Sequence, residues 1–128
     1  AAELLAGHPR IHLREPLGYL DLIAALKGSS LVLTDSGGIQ EEAPTFGVPV
    51  LVLREVTERP EGIAAGVAEL VGTDPGRIVS RSLAMLAQGA SRAPLPNPYG
   101  DGRAGARIAD ILRSDLGGVP RLTEDWAQ

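Results

Sequence analysis

Short apolar runs alternate along the chain with segments of helical periodicity. Four runs are rich in β-branched or aliphatic residues and predict buried strands: Ile11 to Leu13, Leu31 to Thr34, Val50 to Leu53 and Ala68 to Val71. The segments between them predict helices over 19–26, from the turn after Thr34 to about Phe46, and over 60–65, where Pro60 suits a first helical position. Strands separated by helices form a parallel sheet with helices on both faces, so the predicted fold class is α/β.

The second half of the chain predicts two longer helices. Asp74 and Pro75 supply an N-cap and a first-turn proline. The helix that follows carries one stripe expected to cover the sheet: Ile78, Val79, Ser82, Leu83 and Leu86. Residues 103–113 predict the final helix, so we divide the chain into a domain over 1–114 and a loosely held polar tail over 115–128.

The loop over 90–102 is too rich in proline and glycine to form a helix or strand. Within it, Asn97 to Gly102 predicts a rigid turn in which Gly100 and Gly102 allow positive φ and Asp101 caps the last helix. Tyr99 is then expected to be a packing residue.

A glycine turn follows the second predicted strand directly. Ser36, Gly37 and Gly38 open the next helix, whose unpaired N–H groups favour a phosphate oxygen, and the glycines place no Cβ in its way. Glu41 and Glu42 lie one turn later, and an acidic side chain is a common ligand of a ribose diol. The turn therefore predicts a nucleotide site. The alternative is an ordinary βα turn in which the two acids complement the helix dipole.

Arg59 occupies the loop after the next strand. Because adjacent parallel strands end at the same edge of a sheet, a guanidinium there can contact a diphosphate resting on the glycine turn. The alternative is that Arg59 pairs on the surface with Glu58 or Glu61 and contributes little.

Composition narrows the classes of partner. The chain of 128 residues is 44% hydrophobic, enough for one aliphatic core, and it begins at Ala1 in mid-pattern, so we expect a segment of a longer polypeptide. The net charge of −4 and the scattered arginines argue against a nucleic-acid partner. The longest apolar stretch, Val48 to Leu53, is far shorter than the roughly 18 residues that span a bilayer, so no membrane association is expected.

The chemistry available to the chain is also limited. It has no cysteine, which excludes disulfides, thiolate metal sites and thiol nucleophiles. Its two histidines, His8 and His12, lie before and within the first predicted strand, where we expect surface or strand-edge positions.

The ordered motifs resemble those of one enzyme family over about residues 11–112. The segments Leu33 to Pro44, Pro49 to Arg54 and Thr57 to Glu61, with Gly47 between them, look like the C-terminal domain of the non-hydrolysing UDP-N-acetylglucosamine 2-epimerases. Further blocks agree in the same order: Glu15 to Leu17, Tyr19 and Leu20, Leu70 to Asp74, and Asn97 to Gly102.

The resemblance implies a Rossmann-like parallel sheet flanked by helices, the C-terminal half of a glycosyltransferase-B-like two-domain fold. UDP would lie in the cleft between the domains, and the final helix would cross toward the N-terminal one. By position, the resemblance assigns the diphosphate to Ser36, Gly37, Gly38 and Arg59, the ribose hydroxyls to Glu42 rather than Glu41, and the uracil to the backbone near Leu22. The family often has an aromatic residue at position 22, so with leucine we expect main-chain hydrogen bonds to hold the base.

The implied reaction interconverts UDP-N-acetylglucosamine and UDP-N-acetylmannosamine by eliminating UDP and adding it back after reprotonation at C2. It needs no metal and no other cofactor. The resemblance implies that the acid and base lie in the N-terminal domain, which this chain does not include. The chain alone is therefore expected to be inactive. The resemblance also implies a cytoplasmic homodimer that serves cell-surface polysaccharide synthesis. The alternatives are a non-catalytic nucleotide-sugar-binding module and the donor domain of a glycosyltransferase-B-type glycosyltransferase.

Overall fold

A computed structural model describes residues 2–89 and 96–126 of the chain. Its described residues form one sheet of three parallel strands in the order β1, β2, β3: β1 (Val32–Thr34), β2 (Val50–Val52) and β3 (Ala68–Leu70). The ladder continues one residue past two of the strands, because Leu53 N–H donates to the carbonyl of Thr34 and Val71 N–H donates to that of Val52. Since all three strands run in one direction, their carboxyl ends meet at a single edge of the sheet.

Six α-helices surround or precede these strands in the described part of the chain: α1 (Ala2–Leu5), α2 (Tyr19–Gly28), α3 (Gly37–Glu42), α4 (Pro60–Ala64), α5 (Pro75–Gln88) and α6 (Ala104–Gly117). A 3₁₀ turn over Ala43–Phe46 extends α3. It ends at Gly47, whose φ of 69° lies in the left-handed region that favours glycine. The helices predicted over 19–26, up to Phe46 and from Pro60 are confirmed.

The core is centred on β2. Val50 and Val52 point to one face, where they join a buried cluster with Leu26, Ala43 and Ala68. Leu51 points to the other face because side chains alternate along a strand, and it is also fully buried. Helix α5 contacts β2 and contributes nothing to the first cluster. The sheet therefore carries helices on both faces, as the pattern predicted.

The start of α5 also agrees with the sequence. Asp74 is the N-cap, and its carboxylate accepts a hydrogen bond of 2.7 Å from the N–H of Arg77. Pro75 takes the first helical position, where the missing N–H costs nothing.

The stripe predicted for α5 is only half correct. Ile78 and Ser82 are partly buried, whereas Val79, Leu83 and Leu86 are 57%, 63% and 47% exposed. Positions 79, 83 and 86 form a row on the helix that is rotated about 100° from the row through 78 and 82. Only the row through Ile78 and Ser82 is partly buried.

The strand predicted over Ile11 to Leu13 does not form. Residues 11–18 have no regular structure, and Ile11 and Leu13 are 38% and 49% exposed. A strand needs a neighbour to pair its N–H and C=O groups, and this run has no partner among the described strands. Both His8 and His12 are exposed, as expected.

The C-terminal segment differs from the loosely held tail expected from its composition. Helix α6 continues to Gly117, so the boundary placed after residue 114 falls inside a helix. Beyond it the chain returns to α6, where the buried carboxylate of Asp110 accepts hydrogen bonds of 2.7 Å from the N–H groups of Leu122 and Thr123. Residues 96–103 form no helix or strand, while the rest of the predicted loop, 90–95, lies outside the described residues.

Candidate functional site

The glycine turn lies at the carboxyl edge of the sheet, directly after β1. Ser36 is the N-cap of α3, and its N–H donates to Oγ1 of Thr34 at 3.0 Å. The Ser36 oxygen accepts no capping hydrogen bond, and the first-turn amides of Gly37 and Gly38 have no acceptor within the helix. The turn thus presents unpaired donors at the positive end of the helix dipole.

The structure brings Arg59 to this turn. Its Nε donates to Oε1 of Glu41, and its Nη1 donates to the main-chain oxygen of Glu58 at 3.2 Å. Its Nη2 lies 3.8 Å from the point where a Cβ on Gly37 would stand. The alternative of a surface pair with the carboxylate of Glu58 or Glu61 is therefore not what forms.

Pairing with Glu41 raises the pKa of Arg59, so this guanidinium stays charged. Its side chain is 38% exposed, which leaves it accessible to a ligand.

The two acids of α3 have separate surroundings. Glu41 is engaged by Arg59. The carboxylate of Glu42 is partly buried and pairs with no described residue, so it keeps its full capacity as an acceptor.

Leu22 lies apart from this group. It is partly buried and packs against the core cluster, and its N–H already donates to the carbonyl of Gly18 at 2.9 Å within α2. Any main-chain contact to a base near this position must therefore use another backbone group.

Sequence reasoning missed a polar network behind Arg59. Gln40 is fully buried, and its Oε1 accepts a hydrogen bond of 2.8 Å from the hydroxyl of Thr57. The same hydroxyl oxygen accepts from the main-chain N–H of Arg59 at 3.1 Å. Nothing in the sequence separated this glutamine from a solvent-facing helical residue.

Tyr99 contributes more than the packing expected of it. Its hydroxyl donates to the main-chain oxygen of Arg59 at 3.2 Å and accepts from the N–H of Gly62 at 2.9 Å. Asn97, in the same loop, donates to the main-chain oxygen of Glu41 at 3.1 Å.

Gly100 and Gly102 have φ of 141° and 77°, the positive values predicted for this turn. The prediction that Asp101 caps the last helix is wrong, because the N-cap of α6 is Arg103; Asp101 instead accepts a hydrogen bond from the N–H of Arg103.

The geometry is that of a donor-rich turn with a charged arginine beside it, and comparison with known proteins identifies the family. A protein-family model described as UDP-N-acetylglucosamine 2-epimerase matches residues 1–113. The chain belongs to the UDP-N-acetylglucosamine 2-epimerase family. The family named from the sequence motifs is thereby confirmed.

Individual members of the UDP-N-acetylglucosamine 2-epimerase family agree closely with this chain. A Salmonella typhimurium relative of that name is 50% identical over 116 residues, which cover 86% of this chain and 30% of the relative. The S. aureus MnaA co-structure with UDP superposes with a TM-score of 0.87 at 40% identity, covering 98% of this chain and 35% of that one. A Neisseria meningitidis UDP-GlcNAc 2-epimerase bound to UDP-GlcNAc gives 0.77 at 43% identity, covering 87% and 31%.

These matches confirm the predicted fold class, a Rossmann-like parallel sheet flanked by helices that corresponds to half of a glycosyltransferase-B-like fold. The chain spans about a third of the length of the relatives it matches. No helix within residues 2–89 and 96–126 is both long and apolar enough to cross a membrane.

Proposed function

We propose that this chain supplies the UDP-binding half of an enzyme that interconverts UDP-N-acetylglucosamine and UDP-N-acetylmannosamine. The observation that carries the proposal is the approach of the Arg59 guanidinium to Gly37, at a helix start whose amides have no acceptor within the helix and no side-chain cap. Family membership and the solved relatives described with UDP and with UDP-GlcNAc support the same ligand.

Each candidate residue has a role that its surroundings suit. The turn residues are Ser36, Gly37 and Gly38. Their amides and the Ser36 hydroxyl would bind diphosphate oxygens, and Arg59 would add a charged contact beside them. Glu42 would accept from both ribose hydroxyls, because its carboxylate has no competing partner among the described residues. The backbone around Leu22 would receive the uracil through groups other than the Leu22 N–H.

The mechanism requires UDP to leave the sugar and then return. Charge grows on the β-phosphate as the bond to the sugar C1 breaks. Donors fixed in advance stabilise that charge without reorganising, and they hold UDP near the intermediate for the return step. Arg59 and the turn amides meet both demands.

Proton transfer at C2 needs an acid and a base beside the sugar. Glu41 is committed to Arg59, and Glu42 is assigned to the ribose. We infer that the acid and base come from a second domain, toward which α6 would cross, and that this chain alone binds UDP without epimerising it. For the whole protein, we propose a cytoplasmic homodimer.

Calorimetric titration of UDP and 2′-deoxy-UDP into the chain tests the assignment. Arg59→Ala should weaken UDP binding about 10- to 100-fold, the loss typical of a hydrogen bond to a charged group. Glu42→Ala should remove the preference for UDP over its 2′-deoxy analogue. Arg81→Ala is the matched control, because Arg81 pairs with Glu69 at 2.7 Å instead. Equal UDP affinities in wild type, Arg59→Ala and Glu42→Ala would overturn the proposal.

A further inference from the structure

We propose that Gln40, Thr57 and Tyr99 are positioning residues that hold Arg59 in the geometry that meets the diphosphate. The proposal rests on the proposed function, since it takes the diphosphate of UDP as the ligand of Arg59. None of the three residues is assigned a contact with UDP.

Arg59 is fixed on both sides of its Cα. Its N–H donates to the hydroxyl oxygen of Thr57 at 3.1 Å, and its carbonyl accepts from the hydroxyl of Tyr99 at 3.2 Å. The side chain is fixed separately by Glu41 through Nε. A long side chain normally loses much rotamer freedom when it binds a ligand, and holding it in place beforehand removes part of that entropic cost.

Gln40 is the buried end of this arrangement. It is fully buried, and its Nε2 has no acceptor among the described residues. An apolar residue of similar size would fill the same space without leaving a donor unpaired, so packing alone does not explain an amide here. A hydrogen bond explains the glutamine instead. The amide oxygen of Gln40 accepts from the Thr57 hydroxyl and so orients it, and the oxygen of that hydroxyl accepts from the N–H of Arg59.

Tyr99 reaches the same residue from the loop that precedes α6. A Cβ on Gly62 would stand 2.5 Å from the Tyr99 hydroxyl oxygen, so a glycine at 62 is what admits the phenol to this place. Burial raises the pKa of Tyr99, so the phenol keeps the proton that it donates to Arg59. The neighbouring Asn97 binds the backbone of Glu41, so one loop contacts both members of the ion pair.

A measurement without ligand tests the positioning claim directly. The ¹⁵N relaxation of the Arg59 Nε–H should report a lower order parameter in Thr57→Val and in Tyr99→Phe than in wild type. Thr123→Val, which removes a threonine hydrogen bond to Asp110 in the C-terminal segment, is the matched control and should leave the order parameter unchanged. An Arg59 Nε–H that stays equally ordered in both Thr57→Val and Tyr99→Phe would overturn the proposal.

A double-mutant cycle tests whether the effect reaches UDP through Arg59. Tyr99→Phe and Thr57→Val should each weaken UDP binding about three- to tenfold when Arg59 is present, and should have no effect in the Arg59→Ala background. Uridine, which lacks the diphosphate, should bind equally well to all variants. An equal loss in both backgrounds would contradict the proposal. If wild type binds no UDP, the proposed function fails, and the relaxation experiment still decides the positioning claim.

Discussion

Among the arginines that pair with a carboxylate, Arg107 and Arg59 use their remaining donors differently. Arg107, in α6, donates from Nη1 and Nη2 to the two carboxylate oxygens of Asp101 at 2.7 and 2.8 Å, and from Nε to the main-chain oxygen of Glu124 at 2.9 Å. Arg59 donates from Nε and Nη1, while its Nη2 has no acceptor among the described residues and lies over Gly37.

We propose that the difference separates a structural arginine from one that binds a ligand. All three nitrogens of Arg107 are engaged, and its bonds tie α6 to the turn before it and to the C-terminal segment. Arg59 is held through its backbone N–H and carbonyl, but its Nη2 has no acceptor among the described residues and lies beside the start of α3, whose first amides have no acceptor within the helix. A residue therefore marks a binding site by the donors that the protein leaves unpaired, more than by the ion pair it makes.

The largest effect that would sharpen this comparison is expected from Gly37→Ala. The added Cβ would stand 3.8 Å from Arg59 Nη2, an ordinary contact, so the fold should accept it. It would, however, occupy space that a phosphate oxygen needs. We expect UDP affinity to fall about 10-fold or more with no loss of thermal stability, since alanine exceeds glycine in helix propensity by up to about 1 kcal/mol. Calorimetry and thermal melting measure the two effects.

The control for this substitution is Gly105→Ala in α6, where an added Cβ meets nothing within 4 Å. It should leave UDP affinity unchanged. Unaltered UDP binding by Gly37→Ala would remove the glycine turn from the site and end the contrast between the two arginines.

A second substitution acts on the structural side. Asp110→Asn leaves one acceptor oxygen where the carboxylate received donors from Leu122, Thr123 and Arg113. We expect the amide protons of Leu122 and Thr123 to exchange about 10-fold faster with solvent, and UDP affinity to remain the same. Asp115→Asn, an exposed aspartate on the same helix, is the matched control. A loss of UDP affinity in Asp110→Asn alone would mean that the two regions are coupled.

Gly62→Ala is expected to weaken UDP binding less than Gly37→Ala does. Its Cβ would lie too close to the Tyr99 hydroxyl, so the phenol must move away from Arg59. We expect about threefold weaker UDP binding and a lower melting temperature. Adding Tyr99→Phe removes the clashing oxygen and should raise the melting temperature to that of Tyr99→Phe alone, without recovering the affinity. Recovery of both would show that the Tyr99 hydroxyl does not act on the site.

Most of the fold followed from local signals. The run at Val50 to Leu53 became the buried central strand, and Asp74 became the N-cap of α5, because each depends on neighbours in the sequence. The proximity of Gly37 and Arg59 also followed, since loops after adjacent parallel strands meet at one edge of the sheet. The failure at Ile11 to Leu13 shows the limit of such signals, because a strand depends on a partner that the run itself does not specify.

The network around Arg59 could not be predicted in the same way. Tyr99 and Arg59 are 40 residues apart, and the glycine that makes room for the phenol is a third, separate position. The sequence pattern of a helix does not distinguish a buried glutamine such as Gln40 from an exposed one. Asp110 likewise gave no sign that it would fix the C-terminal segment, since its partners are main-chain N–H groups with no sequence signature.

The last prediction is a pH dependence that has no effect at neutral pH and is specific to the C-terminal segment. The N–H of Thr123, followed by that of Leu122, holds the pKa of Asp110 at about 2, below its ordinary value of 3.8. A carboxylate whose pKa is lowered by folding stabilises the folded contact above the unfolded pKa, and this contribution is lost as the pH falls through the folded one. The amide shifts of Leu122 and Thr123 should therefore stay constant from pH 7 to 5 and change between about pH 4 and 2. Asp115→Asn should keep this transition and Asp110→Asn should abolish it, whereas a transition centred at or above pH 4 would show that Asp110 does not hold the segment.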